Sequence, residues 1–132
     1  KFYNLNISDT FGKFDKRKKI INLLKINYKK NLLTNIISKN LYLNLLNILD
    51  IINAVNLILK GKVKPNSYIL KNNRNFSILK IVNSINSLSK KKLKVKWLSK
   101  KIIREKLYNY RRLKKWRPIN SNIQDIVDII KK

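Results

Sequence analysis

The sequence predicts an α+β, mainly helical fold, with two helices packed on a short-stranded sheet and basic helical extensions beyond it. Three observations carry this expectation. Leu41, Leu45, Ile48, Ile52, Val55 and Leu59 recur at alternating spacings of three and four, the period of one helix face. Gly61 follows that run, where the last carbonyls of a helix favour a left-handed residue, and Pro65 stops the helix from resuming. Lys92-Leu93-Lys94-Val95-Lys96-Trp97 instead alternates with a period of two, which sets Leu93, Val95 and Trp97 on one face of a strand and three lysines on the other.

In chain order, residues 1–40 read as a helical lead-in, 41–85 as the compact module and 86–132 as a basic strand–helix extension ending in a short helix. Ser8 or Asp9 is the expected cap of a first helix that carries Ile20, Leu23, Leu24 and Tyr28, with a break over Tyr28 to Asn31. Asn31, Leu32, Leu33, Ile36 and Ile37 are expected to open a second helix. Leu41 to Leu59 reads as two amphipathic helices meeting near Asp50, which would cap the later one. Ser67 to Leu79 reads as a β-hairpin around Asn72-Asn73-Arg74-Asn75, although Ile78 to Leu88 also has helical spacing. Ser99 is the expected cap of a helix to about Trp116, stopped by Pro118, and Ser121 or Asn122 caps the last helix.

A single domain, or one with extensions, is the expectation for 132 residues, and 44% apolar content favours folding over disorder. The formal net charge of +26 points to a polyanionic partner, with nucleic acid first and an anionic membrane surface second. Lys, Ile, Asn, Tyr and Phe make up 77 of the 132 residues, a bias toward AT-rich codons that accounts for part of the lysine content. Glu shares that codon bias, yet Glu105 is the single glutamate, so the cationic excess reads as functional. Such a bias suits an organelle-encoded protein, mitochondrial in first place and plastid in second. Leu41–Leu59 is long enough to be tested as a membrane span, but Asp50 at its centre would cost ~3 kcal/mol and four asparagines add to that, so no span is expected. Lys1 is not an initiator, which suggests processing or a start upstream.

No cysteine or histidine is present, which removes disulfides, zinc sets and histidine acid–base chemistry. With two glycines there is no Gly-rich phosphate loop. Asp125 and Asp128 lie three apart on one helix, where capping and dipole compensation explain them better than paired catalytic carboxylates. The expectation is therefore a protein that is not an enzyme, with no cofactor, no metal and no small-molecule substrate.

The run Ala54-x-x-Leu57-Ile58-x-x-Gly61-x-Val63-x-x-Asn66 resembles the RNA-binding domain of small-subunit ribosomal protein four (the S-four family), with Val55 and Pro65 departing from its pattern. Phe2, Tyr3, Ile7 and Ser8, and the Asn31-Leu32-Leu33 run, extend the resemblance upstream. It implies a small RNA-binding module in a structural constituent of a mitochondrial ribosome, contacting small-subunit ribosomal RNA and neighbouring ribosomal proteins. Another organellar ribosomal protein and an accessory subunit of an organellar membrane complex are the alternatives. Lys16, Arg17, Lys18, Lys19, Lys39, Lys60, Lys62, Lys64 and Arg74 would contact phosphates within the module. In the extension, Lys100, Lys101, Arg104, Arg111, Arg112 and Lys115 would line a cationic helix face, with Tyr108 stacking on a base. A solvated lysine face produced by codon bias is the competing explanation.

Overall fold

The computed structural model describes residues 1–132. In chain order it runs β1 (Asn4–Ile7), β2 (Asp9–Phe11), α1 (Ile20–Lys30), β3 (Leu33–Ile36), β4 (Leu41–Leu43), β5 (Leu45–Asn47) and α2 (Ile48–Leu59). The second half holds β6 (Ser67–Leu70), β7 (Phe76–Ser77), α3 (Ile78–Ser87), β8 (Lys94–Trp97), β9 (Ile103–Arg104), β10 (Arg111–Arg112) and α4 (Ile123–Lys131). The strands form four small sheets, ordered β1-β6-β10, β2-β5, β3-β8 and β7-β4-β9. Every pairing is parallel except β4 with β7. The fold is thus a small α/β arrangement built on parallel strand pairs, and the expected helical module is corrected.

Each departure has a local cause. Residues 33–36 alternate exposed and buried, with Thr34 and Ile36 inside, so they form β3 beside β8 where a helix was expected. Leu41 to Asn47 is apolar enough to satisfy either period, and pairing with β2, β7 and β9 draws it into β4 and β5. β6 and β7 do not form a hairpin, because β6 pairs with β1 and β10 while β7 pairs with β4. No helix forms over residues 99–116. Ser99 Oγ donates to Ile37 O (2.8 Å), Asn40 Nδ2 donates to Lys100 O (2.7 Å) and Ile103 N donates to Asn40 O (3.1 Å), holding the segment extended along residues 37–42. A helix there would have stacked like charges at three- and four-residue spacing.

The first helix carries Ile20, Leu23, Leu24 and Tyr28 as expected, but it follows Lys19 and not a Ser8 or Asp9 cap, and it runs through the expected break at Tyr28 to close at Asn31, at φ 55°. Other local readings hold. Gly61, at φ 67°, closes α2 with a Schellman pair, Lys62 N to Leu57 O (3.1 Å) and Gly61 N to Ile58 O (2.9 Å). Residues 78–87 take the helical alternative with Ser77 as cap, and Asn122 with Asp125 forms a capping box on α4. No helix is long and apolar enough to cross a membrane.

Two apolar cores meet at β5. Leu45 belongs to the larger one, with Leu24 of α1, Ile81 and Ile85 of α3, and Ile126 and Ile130 of α4. Leu46, its neighbour on the opposite face, belongs to the smaller one with Ala54, Leu70, Leu113 and Trp116. Between them lies Asp50, which is fully buried in the first turn of α2 while Asn47 takes the capping role. Its carboxylate accepts from Ile119 N (2.9 Å), Asn120 N (3.0 Å), Asn120 Nδ2 (3.0 Å) and Ser121 Oγ (2.5 Å). Trp116 Nε1 donates to Asp50 O (2.9 Å), and Asn47 Nδ2 to Asn120 O (3.0 Å). Asp50 is the clasp that holds the chain entering α4 against α2.

Candidate functional site

The C-terminal end of β1 opens onto two depressions. The larger, about 1000 Å³, is bounded by β2, the turn over residues 12–19, the start of α2 and the outer side of α4. The smaller, about 380 Å³, lies between β1, the start of α1, β4 and Glu105. Ile7, Ser8 and Lys19 line both, so the step from β1 to β2 is the wall between them. Volumes of this order accommodate small organic ligands.

The turn is shaped by Gly12 and by charge. A Cβ at Gly12 would sit 2.8 Å from Ile48 Cγ2, so the turn can lie against the start of α2 only without a side chain there. Phe11, Ile48, Leu49 and Ile51 give the larger depression an apolar lining, and Phe14 stands at its edge, 83% exposed. Arg17 grips Asp15 with two donors, Nε to Oδ1 (2.8 Å) and Nη2 to Oδ2 (2.5 Å), and also reaches Thr10 Oγ1. That side-chain hydrogen bond is the main reason the Asp15 carboxyl is held down at about 2; the Arg17 amide and the charges of Arg17 and Lys19 act in the same direction against partial burial. The same pairing raises Arg17. Lys19 pairs with Asp9.

These are the two ion pairs of a chain with 32 cationic side chains. The acids are distributed far from randomly. Asp15, Asp125 and Asp128 line the larger depression, Asp9 and Glu105 the smaller, and the sixth acid is the buried Asp50. Ser8 Oγ is buried and has no hydrogen-bond partner within the protein.

The residues expected to contact RNA do not converge. Arg17 and Lys19 line the depressions but are committed to Asp15 and Asp9, while Lys16 and Lys18 are exposed on the same turn. Lys60, Lys62 and Lys64 sit around the other end of α2, about 18 Å along its axis from the larger depression. Lys39, Lys100 and Lys101 cluster where residues 99–101 cross the chain before β4. Arg104 lies over the Tyr42 ring at 5.0 Å, Tyr108 is exposed beside Tyr110, and Arg112 donates to Asn73 Oδ1. Arg74 is exposed in the turn before β7, Arg111 is exposed on β10, and Lys115 occupies a turn at φ 62°. The cationic stripe expected over residues 100–115 is therefore absent, because it depended on a helix that does not form. The sequence reading missed Gly12, Lys13, Phe14, Ile48 and Leu49 as lining residues and treated Ser8 as a cap. The scarcity of glycine and of acids was the signal available for finding them.

No known protein-family profile matches the sequence, and no curated protein matches it significantly. Solved structures do match. A UDP-glucuronic acid 4-epimerase from Bacillus cereus in complex with NAD aligns over 98% of this chain and 42% of its own, at TM-score 0.78 and 16% identity. A UDP-glucose 4-epimerase from Thermus thermophilus, also with NAD, aligns over 98% and 46% at TM-score 0.70 and 16% identity. A dTDP-glucose 4,6-dehydratase from Bacillus anthracis aligns over 96% and 43% at TM-score 0.69 and 16% identity. The chain shares the fold of part of these proteins and spans less than half their length.

This overturns the ribosomal reading. The architecture matches part of proteins described as epimerases and a dehydratase, not the helical RNA-binding module that the S-four resemblance implied. The expectation of a protein that is not an enzyme is corrected with it, since the solved structures that share the fold are of proteins described as epimerases and a dehydratase. The Ala54-to-Asn66 resemblance reduces to a helix that ends on Gly61 and is followed by β6, a junction that many folds use.

Proposed function

We propose that this chain binds a nucleoside-diphosphate sugar across the two depressions, as the nucleotide-sugar-facing portion of an epimerase- or dehydratase-type protein. The observation that carries this reading is the match, over nearly the whole chain, to part of the UDP-glucuronic acid 4-epimerase fold. A related fold has been described with UDP-glucose and NAD bound together, at TM-score 0.77 and 10% identity.

Of those two ligand types, the residues here do not fit the dinucleotide. Its pyrophosphate needs backbone amides at a glycine-rich turn leading into a helix N-terminus. Gly12 is buried against Ile48, and Gly61 closes the C-terminal, electronegative end of α2. A nucleotide sugar suits the site better. Lys13 is a cation at the larger depression without a carboxylate partner, and Arg17 can redirect one donor from Asp15 toward a phosphate. Ile48, Leu49 and Phe14 offer apolar surface to a ring.

The test is a calorimetric and thermal-shift titration of the 132-residue chain with UDP-glucose, NAD and inorganic pyrophosphate at matched ionic strength. Saturable stabilisation by UDP-glucose well beyond that from pyrophosphate is expected, because a ligand at 100 times its Kd adds about 2.7 kcal/mol to stability. Equal responses to UDP-glucose and pyrophosphate would reduce the interaction to the net charge of +26 and overturn the proposal.

A further inference from the structure

The sheet β1-β6-β10 ends on one side at β1, and the outer edge of that strand is open. Asn4 N donates to Asn66 O at 3.1 Å and Ser8 N to Leu70 O at 3.0 Å. The even-numbered residues of β1 thus turn their backbone groups toward β6. Alternation along a parallel strand points the amides and carbonyls of Leu5 and Ile7 the other way, where the chain places no strand.

Free edges are normally guarded by charge, proline or a bulge, because their unpaired backbone groups template further strands. The far end of this sheet follows that rule, since β10 consists of two exposed arginines, Arg111 and Arg112. β8, beside β3, carries exposed Lys94 and Lys96. β1 has no such guard. Residues 2–12 contain no Lys, Arg or Pro in a chain with 32 cationic side chains, and Phe2 and Ile7 stand 76% and 44% exposed. Leu5 packs on the smaller core, so the strand is held in place from behind. Sheets of about four to six strands are usual, and this one stops at three on its unguarded side.

The matched solved structures extend well past the matched region, which is 42% of the Bacillus cereus epimerase and 46% of the Thermus thermophilus one, both described with NAD. This chain has no glycine-rich turn to receive a dinucleotide.

We propose that the outer edge of β1 is an interaction surface, at which a dinucleotide-binding α/β unit outside residues 1–132 adds a strand through the backbone of Leu5 and Ile7. Main-chain hydrogen bonds supply the affinity of such a contact, and Phe2 and Ile7 supply its apolar surface. A second copy fits worse, since two chains of +26 repel each other. The partner's chemistry rests on the epimerase- or dehydratase-type reading above, whereas the place of contact rests on β1 alone.

Amide-resolved hydrogen exchange on the isolated chain is the first test. Asn6 and Ser8 are expected to be protected, and Leu5 and Ile7 to exchange at least about tenfold faster. Equal protection of all four overturns the proposal, because the edge is then covered within the chain. A photo-crosslinking residue next replaces Phe2, which belongs to neither core, and the protein is irradiated in cells of its own source. The expected product joins residue 2 to an identified segment outside residues 1–132, and the captured unit retains labelled NAD. Ile7→Pro removes an outward amide without touching the ladder to β6, and should reduce that product at least about fivefold. Melting of the variant is measured alongside. If Ile7→Pro does not fold, Ile7→Lys, which sets a charge at the edge, takes its place. An undiminished product in the folded variant overturns the proposal. So does a crosslink to a second copy, to a unit that does not retain NAD, or to nothing, and each leaves the UDP-glucose titration to decide the nucleotide-sugar reading. Failure of that titration beside an NAD-retaining crosslink overturns the nucleotide-sugar reading and keeps the contact at β1.

Discussion

The clasp at Asp50 and the depressions beside β1 are made of the same materials, carboxylates, serines and asparagines, and differ in how completely they are satisfied. At the clasp each acceptor has its donor. Asp50 takes four hydrogen-bonding groups, and Asn72 Nδ2 bridges Leu45 O (2.9 Å) and Ser121 O (2.6 Å). At the depressions Ser8 Oγ has none, Glu105 uses one oxygen, and Lys13 has no counter-charge. A saturated polar network specifies a fold, and an unsaturated one next to open volume is available to a ligand. The contrast sets polar residues that hold the fold against polar groups left without protein partners beside the depressions, without any appeal to charge density.

The largest effect is expected at the clasp. Asp50→Ala leaves the Ser121 hydroxyl unpaired in the interior and removes the acceptor of the partly buried residue 119 and 120 amides, at a cost of about 3 kcal/mol. Urea unfolding should show a correspondingly lower midpoint, with α4 released first in hydrogen exchange. A loss below about 1 kcal/mol would mean that the clasp is ornamental. Next comes Gly12→Ala, whose Cβ meets Ile48 Cγ2; overpacking of this kind costs about 1–2 kcal/mol. Ile48 is 45% exposed, so Ile48→Ala alone should cost little, and the double variant should recover most of the Gly12→Ala loss. Additive losses in that cycle would show that the Gly12–Ile48 approach does not shape the turn.

Lys13→Ala should then leave stability within about 0.5 kcal/mol of wild type and lower UDP-glucose affinity about fivefold. Lys62→Ala, at the far end of α2, serves as the control of equal charge. Equal losses from the two variants would indicate diffuse electrostatic attraction with no specific cation at the site.

The Asn122 cap, the turn at Gly61, the α3 alternative and the period-two strand at residues 94–97 were legible in the sequence, because each depends on neighbours within a few residues, whereas the caps expected at Ser8 or Asp9, at Asp50 and at Ser99 are not the ones that form. Short strands such as β3, β4 and β5 were not legible. Each is three or four residues long and is fixed by partners that are distant in sequence, as when Leu33 pairs with Lys94. Asp50 drew attention correctly, but as a helix cap, and nothing local reveals that its donors arrive from residues 119–121. Lysine density misled most. In a composition this biased, a cation carries little information and a rare acid carries much, so the positions of Asp9, Asp15 and Glu105 point to the site better than the basic runs do.

The smallest expected effect tests whether the ion pairs at the turn belong to the fold or to the site. Arg17 lowers the Asp15 carboxyl from an ordinary 3.8 to about 2. A depressed carboxyl contributes stability that is fully present above the unfolded value and is lost as pH falls through the folded one. The contribution of Asp15 should therefore fade between about pH 4 and pH 2, and Asp15→Asn should flatten that part of the stability profile. Because the Arg17 side chain is 54% exposed, water screens the pair and the change at neutral pH should be slight. The ligand response should move the other way. Asp15→Asn frees Arg17 to turn toward a phosphate, so UDP-glucose affinity at pH 7 should rise modestly as stability falls. Stability and affinity falling together would instead place Asp15 and Arg17 with the clasp, as parts of the scaffold alone.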